Sequence, residues 1–516
     1  MAPLQILSPL AFIPARSLAA AASRILPGEF HRNERKGDAV ATIRSATSGA
    51  GENSLERWFH LREHGTTVRT EVLAGLTTFL VMAYIIAVNP FVLAAAHLDV
   101  RAVATSTCLV AGVMTLAMGL YTNKAFALAP GLGLNAIVAY DLVGRMGLTA
   151  PEAMGVIVAE GVVITILVLT GVRRYVVSVV PTQLSRGISV GIGFFILFLG
   201  LRSAGLITFI TDQTGAATTE GLLSLSPLNT WAIFVAIVGL LITIVLLARG
   251  FKAGILVGIV AATALAFLVP GHVATAPAAP FAGPDFSLLG QFSFGFFAKI
   301  GVLTAILAIF SLMLSDFFDT LGTIIGVGSE AGYLGPKGEF IGAQKVLLVD
   351  SLAAVAGGLV SASSATTYIE SASGISVGGR TGLVSVVTGI LFLLSLPFVG
   401  LVNAVPGVAT APALIVVGIL MVSVLADRDV VGADGTTVKR AGIDFGDLED
   451  AVPVVLTMLV MPLTFSITNG IGAGFISYVV VKLARGKWRE VHPALYGIAI
   501  AFLIYFLRWS LFGAAF

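Results

Sequence analysis

Long runs of apolar residues separated by short polar segments recur along the chain from about residue 72 onward. Most of these runs are long enough to cross a hydrocarbon core of about 30 Å as a helix. The pattern predicts fourteen spans, at about 72–96, 102–121, 125–143, 152–171, 178–200, 228–248, 253–270, 297–326, 343–361, 365–379, 382–397, 409–425, 449–468 and 470–484. A further apolar stretch at about 491–513 could either span the membrane or lie on it.

Composition supports an integral membrane protein. Hydrophobic residues make up 57% of the 516 positions and charged residues only 11%, and the mean hydropathy is +0.98, whereas soluble domains contain about 25% charged residues. The net charge of +2 and the absence of a basic run with interleaved aromatics argue against nucleic-acid binding. We therefore expect an all-α polytopic protein embedded in the lipid bilayer.

Several classes of chemistry are disfavoured by residue content. The single cysteine, Cys108, excludes an intrachain disulfide and a thiolate metal site, and none of the six histidines lies in the middle of a long apolar run. No glycine-rich loop ends in Lys-Ser or Lys-Thr, so ATP binding of the familiar kind is not expected. We expect no enzyme activity, no metal and no cofactor, and transport driven by an ion gradient.

Basic residues near the span ends predict the orientation. Arg57, Arg62 and Arg69 precede the first span, and the later loops that carry basic residues lie on the same side of the membrane when the spans are counted. Because basic loops favour the cytoplasmic side, the N-terminus is predicted to be cytoplasmic. Residues 1–53 are polar and rich in Ala and Ser, and we predict a disordered leader. A transit peptide is the alternative, and it would place the protein in an organelle membrane instead of the cell membrane.

An internal repeat divides the spans into two halves. The segment 249–266 aligns with 469–484 through matching Gly and Ala positions. Two halves of seven spans are implied, and because seven is odd the second half is inverted. We predict a first repeat at 54–270, an extracytoplasmic loop at 271–296, a second repeat at 297–484 and a C-terminal apolar segment at 485–516.

Two spans in equivalent positions of the halves are interrupted. Pro130, Gly131 and Gly133 break the third span, and the polar run 361–374, SASSATTYIESASG, makes the tenth extended in part. Broken backbone at membrane depth is tolerated only against protein or a water-filled cavity, and transporter sites lie at such breaks. The breaks in spans 3 and 10 therefore predict the binding site.

Few carboxylates lie within the spans, and each costs about 2.5 to 3.5 kcal/mol on insertion scales when unpaired. Glu370 lies in the tenth-span break and Asp319 lies in the eighth span beside small and hydroxylic residues, so both are candidates for the site. Asp316, three residues before Asp319, shares its helical face, and two such anions would repel unless one is protonated. Asn135, in the third-span break, can both donate and accept hydrogen bonds.

Three other acids have structural interpretations. Asp141 and Asp350 lie toward span ends, where a carboxylate can reach the headgroups or cap a helix. Glu160 lies in mid-span among Val and Ile without polar sequence neighbours, which favours a buried hydrogen bond to another helix.

The chemistry of the site predicts a neutral or cationic substrate. A carboxylate accepts up to two parallel N–H bonds, as a heterocycle can offer, and disfavours an anion. The broken spans carry no Lys or Arg before Arg380 at the end of the tenth span. Because a buried acid readily takes up a proton, Asp319 or Glu370 could couple proton movement to transport.

The motifs GTTVRTEVLAGLTTFLVMAYIIAVNP (65–90), APGLGLNA (129–136), DFFDTLGT (316–323) and TTYIESASGISVGGRTGL (366–383) resemble the AzgA-like (azaguanine-resistance-type) purine permeases of the nucleobase:cation symporter-2 and nucleobase/ascorbate transporter superfamily. This resemblance implies a core domain of spans 1–4 and 8–11 and a gate domain of spans 5–7 and 12–14. It further implies proton-coupled import of hypoxanthine, guanine or adenine by an elevator-like movement, often as a homodimer.

The resemblance also implies site residues. The purine-binding acids of the family fall on Asp319 and Glu370, its third-span asparagine falls on Asn135, and Tyr368 and Thr323 match positions that line the site in related carriers. The polar segment 426–447 is longer than the family pattern, and we predict a cytoplasmic hairpin there.

Other functions fit the sequence less well. A uracil or xanthine carrier would use the same site. A sulfate-type anion carrier should have no acids in the broken spans, and a channel would repeat its acids in a ring. A membrane-embedded enzyme would need His or Cys within the spans.

Overall fold

The computed structural model describes residues 54–172, 179–209, 223–276, 281–335, 340–422, 425, 429–431, 437–439 and 443–512. The predicted leader at 1–53 lies outside the described residues. Within this part of the chain the protein is mostly helical, and its few strands are three residues long.

The first half begins with α1 and continues through two broken spans. Its helices are α1 (Ser54–Phe59), α2 (Val68–Met82), α3 (Ile85–Leu93), α4 (Val100–Thr122), α5 (Leu132–Ala136), α6 (Ala150–Leu169), α7 (Thr182–Ser203), α8 (Trp231–Ala248) and α9 (Gly254–Leu268). Strand β1 (Leu128–Pro130) precedes α5, and a π-helical segment (Ile137–Arg145) follows it; β2 (Ile207–Phe209) pairs with β3 (Leu223–Leu225).

The second half has the same plan. Its helices are α10 (Phe296–Ile300), α11 (Val302–Glu330), α12 (Ala343–Leu359), α13 (Ser371–Ser376), α14 (Gly382–Leu394), α15 (Gly407–Val422), α16 (Leu448–Leu463), α17 (Ile467–Ala484) and α18 (Pro493–Phe512). Strand β4 (Ala365–Thr367) precedes α13, and β5 (Asp429–Val431) pairs with β6 (Thr437–Lys439). This antiparallel pair lies within the segment 426–447, and the placement of that segment in the cytoplasm stays a prediction.

Every predicted span contains a helix, or a strand followed by a short helix. Among the described residues, six single helices and the stretch Val68–Ala96, which contains α2 and α3, are long and apolar enough to cross a membrane. An eighth span is possible if the pair Gly382–Leu394 and Leu396–Ala404, bent by 63°, is counted as one. The remaining predicted spans are shorter or broken. The polytopic helical architecture is thus confirmed, and the crossing of the bilayer by each shorter element stays a prediction.

The described helices pack mainly in two sets that correspond to the predicted core and gate. In the core set α4 packs on α14, α6 packs on α12 and α2 packs on α14; in the gate set α7 packs on α15 and α16, and α8 packs on α9. In the predicted repeat, each span of the first half corresponds to the span seven positions later. α4 then corresponds to α12 and α6 to α14, so the α4–α14 contact and the α6–α12 contact are equivalent. The packing therefore accords with an internal repeat, whereas the predicted residue boundaries of the halves stay predictions.

The C-terminal apolar segment forms α18, which packs along α17. The Phe502 ring stacks on Phe475 of α17, with centroids 6.3 Å apart and planes 8° apart, and Phe502 and Tyr505 are almost completely buried. At the start of α18 the Tyr496 hydroxyl donates to the Trp488 carbonyl at 2.8 Å. The segment left open by the sequence is therefore a helix integrated into the helical bundle.

The loop before α10 is anchored on α4. The Arg101 guanidinium donates to Asp285 Oδ2 at 2.9 Å, and the Asp285 backbone N–H donates to Thr105 Oγ1 at 2.9 Å. Hydrogen bonds from Ser287 and Arg101 lower the pKa of the Asp285 carboxyl. This ion pair therefore stabilises the loop against the core set at neutral pH.

Candidate substrate site

The site is built around two short strands that meet inside the core set. β1 and β4 pair antiparallel, with Leu128 opposite Thr367, Ala129 opposite Thr366 and Pro130 opposite Ala365. All six residues are buried. The sequence-predicted breaks in spans 3 and 10 therefore lie side by side, and each is followed by a short helix, α5 or α13.

Asp350 fixes the second break to two long helices. Its Oδ1 accepts from the Thr367 backbone N–H at 2.9 Å, and its Oδ2 accepts from the Thr320 hydroxyl of α11 at 2.8 Å. The Thr320 and Thr366 hydroxyls are a further 2.7 Å apart. The prediction that Asp350 reaches the headgroups or caps a helix is wrong, because it lies within α12 and is 1% exposed.

Tyr368 joins the two breaks directly. Its hydroxyl donates to the Pro130 carbonyl, and its backbone N–H donates to the Ala127 carbonyl at 2.9 Å. The Ser371 hydroxyl accepts from the Ala127 N–H at 3.0 Å. Tyr368 is 7% exposed, so its ring is held in place where the strands end.

Glu370 lies immediately before α13 and is only partly buried. Its Oε1 accepts a hydrogen bond of 2.7 Å from the Tyr84 hydroxyl. α13 rests on α2 without a gap, since a Cβ on Gly374 would lie 2.7 Å from the Ala74 carbonyl oxygen. The carboxylate is thus positioned by a close helix contact and one phenol donor.

Tyr84 is a site residue that the sequence analysis missed. It occupies the joint between α2 and α3, where the first span is broken without Gly or Pro at the break itself. The available signals were a tyrosine within an apolar span and Pro90 six residues later, inside α3. Tyr84 also lies in electrostatic range of Tyr368 and Asp319.

Asp319 lies on α11 and faces the same region. It is partly exposed and interacts electrostatically with Glu370 and Asp350. Thr323, four residues further along α11, is 5% exposed. Asp319 and Glu370, predicted from different motifs, are therefore brought together.

Asn135 is completely buried in α5, and neither atom of its side-chain amide has a hydrogen-bond partner in the described part of the protein. α5 contacts α3 and α11, which carry or adjoin the other site residues. An unsatisfied buried amide is costly, so a polar ligand or water at this position would be stabilising.

Asp141 lies outside this cluster, and its surroundings differ from those predicted at a span end. It is 0% exposed, pairs with Arg145 at 2.5 Å and accepts from the Ser466 hydroxyl at 2.7 Å. Arg145 also donates to the Tyr505 hydroxyl at 3.1 Å. Asp141 therefore does not reach headgroups; it joins the third span to α17 and α18.

The cluster presents acceptors, hydroxyl groups and an amide. The ion pairs found among the described residues involve neither Glu370 nor Asp319. No group of three or more metal-ligating side chains is found in the part of the chain that the structure describes. The arrangement is suited to binding N–H donors of an uncharged ligand.

Known proteins show which family shares these features. The sequence model of the Permease family matches residues 69–436. The adenine permease AdeP of Escherichia coli is 41% identical over 463 residues, covering 89% of this chain and 97% of that protein. The guanine/hypoxanthine permease PbuO of Bacillus subtilis is 37% identical, covering 86% of this chain and 99% of that protein.

The fold also resembles a solved structure. The transmembrane domain of a cyanobacterial bicarbonate transporter, BicA, superposes with a TM-score of 0.56 at 15% identity, covering 79% of this chain and 97% of that chain. At this identity the likeness concerns the fold alone. It confirms a multi-pass membrane fold with core and gate domains. The Permease family and its named relatives show separately that the chain is a transporter rather than an enzyme. The chain therefore belongs to the Permease family, within the AzgA-like group of the nucleobase:cation symporter-2 and nucleobase/ascorbate transporter superfamily.

Proposed function

We propose that the protein imports purine nucleobases, namely adenine, hypoxanthine and guanine, across the cell membrane by proton symport. The observation that carries this proposal is the partly buried Glu370 carboxylate at the paired strand breaks, held by Tyr84 and close to Asp319. The names of the relatives, an adenine permease and a guanine/hypoxanthine permease, support purines over other heterocycles.

A purine matches the chemistry of the cluster. Glu370 Oε1 accepts from the Tyr84 hydroxyl, and the carboxylate has further lone pairs that can accept from a ring or exocyclic N–H. Asn135 could pair with a second edge of the base through its donor and its acceptor, both without a partner among the described residues. Tyr368 and Thr323 would line the site beside the base. An anion would meet two acids at this place, which is unfavourable.

Coupling to protons follows from the same acids. Asp319 and Glu370 lie close together, and two neighbouring anions away from bulk water favour uptake of a proton by one of them. Proton uptake on one side of the membrane and release on the other, linked to purine binding, constitutes symport. We propose these two acids as the groups that exchange the proton with water of the site.

We propose an elevator-like movement of the core set against the gate set. Polar contacts between the sets occur near both ends of the helices: Lys252, between α8 and α9, donates to the Ser373 carbonyl at 3.3 Å and to the Ser376 hydroxyl, whereas Ser466 donates to Asp141. These contacts must open if one set slides past the other. A homodimer and the cytoplasmic N-terminus stay predictions.

The proposal is tested by uptake of labelled adenine, hypoxanthine, guanine, xanthine and uracil into cells that lack their own nucleobase carriers. We expect uptake of the first three, and its loss with a protonophore and in the Glu370→Gln variant. The matched control is Glu330→Gln at the exposed end of α11, which should transport normally.

Other outcomes distinguish the alternatives. Selective uptake of uracil or xanthine would assign the same site to a different heterocycle. Purine uptake that survives both the protonophore and Glu370→Gln would contradict the proposed site and the proposed coupling together.

A further inference from the structure

A second pair of acids lies in the core set and is not part of the cluster around Glu370. Glu160 on α6 is 0% exposed and Asp316 on α11 is 1% exposed. α6 packs against α11, and the two carboxyl groups lie within hydrogen-bonding reach of each other. The pair is therefore enclosed by protein between two long helices.

A hydrogen bond between these two carboxyl groups would require a proton. An ionised carboxylate only accepts hydrogen bonds, so two carboxyl groups can be joined by one only if at least one of them is protonated. The Ser364 hydroxyl donates to Glu160 Oε2 at 3.5 Å, and no N–H or O–H of the described residues donates to Glu160 Oε1. A proton held between the carboxyl groups would satisfy this oxygen.

The surroundings of the pair favour a shared proton over two anions. Among the described residues no Lys, Arg or His forms an ion pair with Glu160. The third acid that faces it, Asp350 of α12, interacts with Glu160 electrostatically and so adds negative charge. Asp350 is already bonded to Thr320 and Thr367. Glu160 Oε1, by contrast, has no donor among the described residues, so a proton would be stabilised at the Glu160–Asp316 pair and not at Asp350.

The pair is connected to the substrate cluster by one turn of helix. Asp316 and Asp319 are three residues apart on α11, a spacing that places their side chains on neighbouring parts of one face. Asp319 is partly exposed, whereas Asp316 is not. Asp319 is thus placed to pass a proton between water in the site and the buried pair.

We propose that Glu160 and Asp316 form a buried proton-binding pair that takes up and releases the coupled proton, with Asp319 as its connection to the substrate site. One proton enters from the side of substrate entry, is held between the two carboxyl groups while the purine is carried, and leaves with it on the other side. The purine is not altered. This inference rests on the proposed function.

The test separates accumulation from exchange. Purified wild type, Glu160→Gln and Asp316→Asn are reconstituted in vesicles, and labelled purine is followed in two assays: accumulation driven by an imposed pH gradient, and counterflow exchange without a gradient. Glu330→Gln on α11 is the matched control.

Glutamine and asparagine keep a donor and an acceptor but cannot exchange a proton. We expect both variants to lose gradient-driven accumulation, so that the internal concentration no longer exceeds the external one, and to keep exchange within about threefold of wild type. Their exchange rates should also lose the pH dependence of wild type. The control should match wild type in both assays.

Two results would overturn the inference while leaving the proposed function intact. The first is gradient-driven accumulation at the wild-type level in both variants, which would mean that the shared proton stays in place. The second is equal loss of accumulation and exchange in both variants although they remain folded and monodisperse, which would make the pair structural. Failure of wild type to transport any purine would instead reject the proposed function.

Discussion

Asp316 and Asp319 are one helical turn apart on α11 but lie in opposite surroundings. Asp316 is enclosed with Glu160 between two helices, whereas Asp319 is partly exposed and lies near Glu370 and Tyr84. A continuous helix thus presents one acid to the packed interior and one to the substrate cluster. Spacing along a helix brings acids together, and the neighbouring elements determine what each acid can bind.

The largest effect is expected from Asp319→Asn, which changes only the partly exposed member of this pair. If Asp319 contacts substrate or its proton, loss of the charge should cost about 2 to 3 kcal/mol, or roughly 30- to 150-fold in kcat/KM for purine uptake. Initial uptake rates across substrate concentrations measure this. Glu330→Gln is the control, and an unchanged kcat/KM in Asp319→Asn would show that Asp319 contacts neither the substrate nor its proton.

A smaller effect is expected from Tyr84→Phe. The variant removes the 2.7 Å hydrogen bond to Glu370 but keeps the ring. Loss of one donor to the carboxylate should cost about 1 to 2 kcal/mol, or roughly five- to thirtyfold in KM. Because the phenol stabilises the ionised form of Glu370, the pH profile of uptake should shift to higher pH.

The control for this variant is Tyr121→Phe, whose ring is 53% exposed. A loss of uptake with the pH profile unchanged would show that Tyr84 acts through packing and not through Glu370.

The smallest effect on transport is expected from Thr320→Val, next to Asp319 but bonded to Asp350 and Thr366. Hydrogen bonds between membrane helices contribute about 0.6 to 2 kcal/mol, so the melting temperature should fall by a few degrees while KM changes by less than about threefold. Thermal unfolding of the purified variant beside its uptake kinetics measures both. A large rise in KM with unchanged melting temperature would place Thr320 in the substrate site.

The sequence was sufficient to predict the architecture and the two breaks. Pro130, Gly131 and Gly133 mark one break and the polar run 361–374 marks the other, because such residues cannot sustain a lipid-facing helix. The antiparallel pairing of β1 with β4 confirms that the breaks carry short extended segments. These features depend on local composition, which a single sequence contains.

The partners of the buried acids could not be predicted. Asp350 and Asp141 lie toward the ends of apolar runs, yet both are buried: Thr320, Thr367 and Ser466 approach them from other elements, and Arg145 of the same π-helical segment pairs with Asp141. Glu160 has no polar neighbour in its own span, and its contacts come from α11 and the loop before β4. Such contacts depend on how distant helices pack, which no local pattern reveals.

The central claim is that Glu370 binds the N–H groups of a purine, and equilibrium binding to purified protein tests it most directly. Calorimetric titration with adenine, hypoxanthine and guanine should give saturable binding to wild type and to Glu330→Gln. In Glu370→Gln the Kd should rise at least about thirtyfold, as expected for loss of a charged acceptor worth about 2 kcal/mol. Equal purine affinity in wild type and Glu370→Gln would contradict the account.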